Sequence, residues 1–180
     1  MPFSIPSSLL HLLLITSTIT IQPTQAFQLA PSTFTHTQCS DNPLLGTPTY
    51  GNAGIVFTTC SQRDISASRQ EIYDAILDFS EYKNWNSFVV DVRDRKGGEE
   101  VEMGVREDVG FAMRFTTRGL LPGGVNTSSD EVVTFAEREV KGEEDDGRKT
   151  AAVSGWRFEG VGQQAEHVNV LRDLGGGVTR

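Results

Sequence analysis

The sequence predicts an α+β domain over residues 55–180, in which a curved antiparallel sheet packs against one amphipathic helix. Three observations predict it. A capping pattern near Ser68 opens a stretch with apolar residues at helical spacing. The apolar segments after it alternate with a period of two, and no helical period separates them, which argues against a parallel, crossover-connected sheet.

The segments ahead of that domain form a separate compositional zone: no Lys or Arg occurs before Arg63, and Asp41 is the only acidic residue there. Residues 1–26 carry an apolar run from Leu9 to Ile21 and end on Thr24-Gln25-Ala26, the pattern of a secretory leader cleaved after Ala26. The run is shorter than the roughly 20 apolar residues of a spanning helix and is diluted by Thr16, Ser17, Thr18 and Thr20. It therefore predicts export to the extracellular space without a stable membrane span. An uncleaved anchor and a mitochondrial leader are the competing readings, and the missing Arg counts against the second. Residues 27–54 are rich in Thr, Ser, Pro and Gly without periodicity and are expected to form a flexible arm.

Export makes two features coherent. Cys39 and Cys60 either close a disulfide, which an oxidising compartment permits, or Cys60 is a buried thiol and Cys39 a bystander. Asn126-Thr127-Ser128 is an N-glycosylation sequon, expected in the polar loop after Pro122-Gly123-Gly124. Net charge is -8 with a pI near 4.9, which argues against a nucleic-acid partner and against anionic membranes. With 37% hydrophobic and 22% charged residues in 180, the chain has material for one core.

Within the domain, residues 55–60 (Ile-Val-Phe-Thr-Thr-Cys) are β-branched and aromatic and predict a first strand. The helix follows. Ser68-Arg69-Gln70-Glu71 is a capping box, and Ile72, Ala75, Ile76 and Phe79 recur on one side, widened by Tyr73 and Leu77. Alternation then places Phe88, Val90 and Val92 on one face of a strand, and Val101, Met103 and Val105 on one face of the next. Val109, Phe111, Met113 and Phe115 continue the pattern. Three further strands are expected at about 131–140, 149–159 and 166–174, with a solvated charged loop over 141–148.

Catalytic signatures are sparse. There is no Gly-x-Ser-x-Gly, no His-Glu-x-x-His and no Cys-His cluster, so neither metal nor triad chemistry is expected, and no cofactor. Gly160-Val161-Gly162-Gln163-Gln164-Ala165 matches a dinucleotide fingerprint in spacing but lacks the βαβ context, and it is read as a turn. Glu107 interrupts the apolar phase from Val101 to Phe115. It either points inward, where desolvation would raise its pKa and make it a general acid or polar anchor, or it marks a bulge or turn. His167 and Trp156 are the other candidates for polar and stacking contacts.

Residues 78–89, Asp-Phe-Ser-Glu-Tyr-Lys-Asn-Trp-Asn-Ser-Phe-Val, resemble the helix-end signature of the START-like (SRPBCC) superfamily. The chain is similar there to its polyketide cyclase/dehydrase-like and coenzyme Q-binding members, with Ser87 where proline is usual. Ala165-Glu166-His167-Val168 and Gly177-Val178-Thr179 resemble the family's late strand and the opening of its last strand, so the likeness covers residues 57–179. It implies a helix-grip fold, an antiparallel sheet curved around a long C-terminal helix, with lipids, polyketides or isoprenoids held between them. The sequence given stops at Arg180, and that helix has no counterpart in it. Phe79, Trp85, Phe88, Met103, Phe111, Met113, Phe115 and Trp156 would then line a ligand cavity, although the same stripe also reads as plain core. The expected function is noncatalytic carriage of an apolar small molecule. The alternatives are a polyketide cyclase or dehydratase using Glu107 or His167, and a secreted interaction protein with a degenerate cavity.

Overall fold

A computed structural model describes residues 29–35, 39, 44–52, 54–96, 99–141, 150–160 and 163–180. The expected leader, residues 1–26, and the acidic stretch 142–149 lie outside the described residues, as do His11 and His36.

Helix α1 spans Arg69–Leu77 and begins as its sequence dictates: Ser68 Oγ accepts the Glu71 N–H, and the Glu71 carboxylate accepts the Ser68 N–H at 2.9 Å. Ile72, Tyr73 and Leu77 are buried, whereas Ala75, expected in the stripe, faces solvent. Burying each large side chain favours folding by about 1.5–3 kcal/mol, so packing and not propensity holds this short helix. A 3-10 turn, Phe79–Glu81, and a one-turn helix α2, Tyr82–Trp85, follow. Asn86 Oδ1 then accepts the N–H groups of Phe88 and Val89 and turns the chain into the sheet.

Six antiparallel strands succeed one another as neighbours, β1 (Val89–Asp94), β2 (Ala112–Arg118), β3 (Asn126–Lys141), β4 (Thr150–Gly160), β5 (Gln163–Gly175) and β6 (Val178–Thr179). The sheet curls into a half-barrel, and its inner face packs on α1, the 3-10 turn and Tyr82. The α+β prediction holds at that level. Among the described residues no helix is long and apolar enough to cross a membrane.

Several expectations are corrected. Residues 55–60 form no strand: Val56 and Phe57 stand in solvent, and only Ile65 pairs, in an antiparallel bridge to Thr179. Propensity does not make a strand where no ladder partner is available. Residues 101–105 form none either. Val101 is buried, but Gly104 takes φ 111°, a turn conformation, and Met103 is 85% exposed. A bulge at Val90 brings Val89 and Val92 inward together, so the expected Phe88/Val90/Val92 face does not exist. The sequon is not in the loop: Asn126 opens β3 opposite Arg118.

A second bulge, at Thr134, divides β3 between two cores. Val133 points to the inner cluster, whereas Phe135 joins Ala151 and Val153 in an outer one, with Val140, Val168 and Val170 around it. Residues ahead of the domain lie on this outer face. Phe34 is buried, and Arg172 donates to the carbonyls of Phe34 (3.0 Å) and Thr35. Thr49 donates through its N–H and its hydroxyl to the two carboxylate oxygens of Glu166, at 2.9 and 2.8 Å. Cys39 and Cys60 form a disulfide with Cα atoms 5.4 Å apart, which settles the two readings in favour of pairing.

Candidate functional site

Strand alternation assigns the inner-face residues. On β2 they are Met113 and Phe115; on β3, Glu131 and Val133; on β4, Ser154, Trp156 and Phe158; on β5, His167 and Asn169. Against them α1 and the 3-10 turn set Tyr73, Leu77 and Phe79, with Tyr82 beside them. The result is an aromatic cluster: Phe79 meets Trp156 edge-on at 5.6 Å, Phe115 at 6.0 Å and Tyr82 at 5.4 Å. Four of the eight residues expected to line a cavity, Phe79, Met113, Phe115 and Trp156, therefore converge. Phe111 packs at the cluster margin under the Arg106 guanidinium at 5.3 Å. Phe88 and Met103 lie on the surface, away from this packing, and Trp85, more than half exposed, reaches only its margin, with its ring 4.8 Å from that of Tyr82.

One side of the cluster is polar. The His167 imidazole lies flat on the Trp156 indole, with centroids 4.6 Å apart and 9° between planes. Its Nε2 is 3.0 Å from Asn169 Oδ1, and Asn169 Nδ2 donates onward to Ser154 Oγ at 3.5 Å. With Oδ1 as acceptor the proton sits on Nε2, which leaves the Nδ1 lone pair for an incoming donor. Water reaches the ring although protein surrounds most of it, and this partial desolvation lowers its pKa; the Asn169 contact acts in the opposite direction.

Glu131 is the second polar group, and no motif singles it out. It is 8% exposed and sits directly across from Met113 on one side and Phe158 on the other. Desolvation raises its pKa to about 7, against a smaller lowering by the Ser129 hydroxyl. The available signal is its place two residues before Val133 in an alternating strand, where an acid breaks an apolar phase.

Glu107 is not the inward carboxylate. It lies in the loop before β2, exposed, paired with Arg138. Arg138 also binds Asp74 at 2.8 Å and covers the Tyr73 ring at 4.9 Å. The place of Glu107 is an irregular loop just ahead of the turn at Val109 and Gly110. Beside this group a polar hollow of about 240 Å³ is bounded by Ser68, Arg69, Gln70, Tyr73, Arg138, Ala152 and Asp173, with no aromatic face but Tyr73. Among the described residues no set of His, Cys, Asp and Glu side chains could hold a metal ion.

No family model, no curated protein and no solved structure matches this chain.

Proposed function

We propose that this protein binds an apolar small molecule with one polar group, a lipid, isoprenoid or polyketide, against the inner face of its sheet, and that it acts as a secreted carrier rather than an enzyme. The observation that carries the reading is the pairing of opposites on one face: the Phe79, Phe115 and Trp156 rings beside Glu131 and the solvent-reachable His167–Asn169–Ser154 chain. An apolar wall with a few convergent polar groups is the usual composition of a small-molecule site. A six-strand curled sheet gripping α1 is compatible with the helix-grip fold that the motif at residues 78–89 resembles. The Cys39–Cys60 disulfide supports an oxidising compartment.

Organic extraction of the natively purified protein followed by mass spectrometry tests this. One apolar molecule per chain is the expected result, and a clean extract from several preparations would overturn it. A second reading, polyketide cyclisation or dehydration, draws on Glu131, whose pKa near 7 suits a general acid or base. Under that reading Glu131→Gln keeps the ligand and loses turnover of it.

A further inference from the structure

We propose that Asn126 is an N-glycan acceptor and that the sugar it carries covers the apolar tip of the β2–β3 hairpin. Residues 119–125 form that tip, where Leu120, Leu121 and Val125 keep 63%, 50% and 56% of their surface exposed. An apolar cluster of this kind is a sticky surface unless something shields it. The acceptor sits at its base: Asn126 directly follows Val125 and pairs across the ladder with Arg118, the residue before Gly119.

The local geometry suits the modification. Asn126, Thr127 and Ser128 form the Asn-x-Ser triplet, with no proline in the middle. Alternation puts Asn126 and Ser128, both exposed, on the outer side of β3, in phase with the surface ion pair of Asp130 and Arg114. Thr127 turns the other way, where its hydroxyl bonds that of Thr117 at 2.7 Å and holds the strand in this phase. The Asn126 side chain makes no hydrogen bond among the described residues, so its amide is open to reaction. Pairing of β3 with β4 starts only at Glu131, so among the described residues β2 alone ladders the triplet and its other backbone edge is open.

The donor is an oligosaccharide joined through a diphosphate to a membrane lipid. Asn126 Nδ2 attacks the sugar C1, the C1–O bond to phosphate breaks, the lipid diphosphate leaves with the electron pair, and a base on the transferase takes the amide proton. No charged residue occurs from Gly119 to Ser129, so the tip has no ion of its own to keep it hydrated, and a bulky, solubilising glycan supplies that hydration. This inference rests on the export that the proposed function invokes and is independent of what the inner face binds.

The test expresses the full chain in a secreting eukaryotic cell line and compares medium and lysate by intact mass, before and after peptide N-glycosidase. In the medium the expected species is heavier than its polypeptide by one oligosaccharide, which the enzyme removes. Ser128→Ala should lose the sugar and Ser128→Thr keep it. The enzyme-treated wild type, with unchanged circular dichroism, should bind a hydrophobic dye at least about threefold more strongly than the glycosylated form. The Ser128→Ala protein gives the same comparison without the enzyme. Leu120→Asp/Leu121→Asp should abolish the rise, and Val125→Asp serves if that pair fails to fold. A secreted chain with Asn126 unmodified overturns the proposal and leaves export standing, whereas a chain held in the cytosol without sugar overturns both. Equal dye binding with and without the sugar overturns the covering of the tip.

Discussion

Glu131 stands directly across the β2–β3 ladder from Met113, a carboxyl set against a thioether that has no exposed surface. The pairing is costly whenever Glu131 is ionised, because neither Met113 nor Phe158 offers a hydrogen bond.

The folded pKa of about 7 lies above the ordinary value of 4.5, so the stability linked to Glu131 is complete below about pH 4.5 and is lost as pH rises through 7. Glu131→Gln is therefore expected to be more stable than the wild type at pH 8 by about 3 kcal/mol, with the difference vanishing near pH 4.5. Thermal melts of both proteins across that range check it. His167, whose lowered pKa removes stability on acidification, is present in both and cancels from the difference. A pH-independent gap would show that the carboxyl is not desolvated.

Tyr73 presents a different imbalance. Its hydroxyl is buried beneath the Arg138 guanidinium and makes no hydrogen bond of normal geometry, although the Glu107 carboxylate faces it, and burial followed by the Glu107 charge pushes its pKa well up. Tyr73→Phe removes the orphan donor and keeps the ring, so it should stabilise the protein by about 1 kcal/mol, or roughly 2–4 °C in Tm. Calorimetry decides; a destabilised variant would mean the hydroxyl has a partner in solution.

Gly155 is required by close approach, not by backbone conformation. A Cβ there would lie 2.5 Å from the Phe135 ring and 2.6 Å from the backbone oxygen of His167. Because one obstacle is main chain, Gly155→Ala should cost near the upper end of the roughly 1–3 kcal/mol typical of overpacking. Its urea midpoint should fall accordingly. A midpoint equal to the wild type would refute the crowding.

Reducing Cys39–Cys60 opens a loop of sequence separation 21 and should lower stability by about 3 kcal/mol. Limited proteolysis under reducing conditions should then cut first between these cysteines, while the β3–β5 region resists. Cleavage that begins within β3–β5 would contradict the assignment of the disulfide to the outer segment alone.

Local chemistry was legible in the sequence and tertiary chemistry was not. The α1 start depends on Ser68 and Glu71, three residues apart, and could be read from them. Phe135 could not be assigned a face, because the bulge at Thr134 that turns it outward arises only when β3 pairs with β4. The same limit separates the two acids. Glu107 and Glu131 both interrupt apolar alternation, but only Glu131 lies in a strand paired on both sides, so only there does alternation force the side chain inward. Residues 55–60 show the converse: strong strand propensity, with a ladder partner only beyond them, at Ile65. For the aromatic cluster, alternation supplied Met113 and Phe115, whereas Trp85, Phe88 and Met103 shared its chemistry without its position.

The outer-face segment also constrains the order of events during synthesis. Cys39 and Cys60 emerge within one short stretch and can close early, but the partners that seat this segment are translated far later. Thr49 waits for Glu166, 117 residues on, and Thr35 for Arg172, 137 residues on. The segment ahead of the domain is thus among the first to leave the ribosome and among the last to find its place, because docking of the outer layer has to wait for β5.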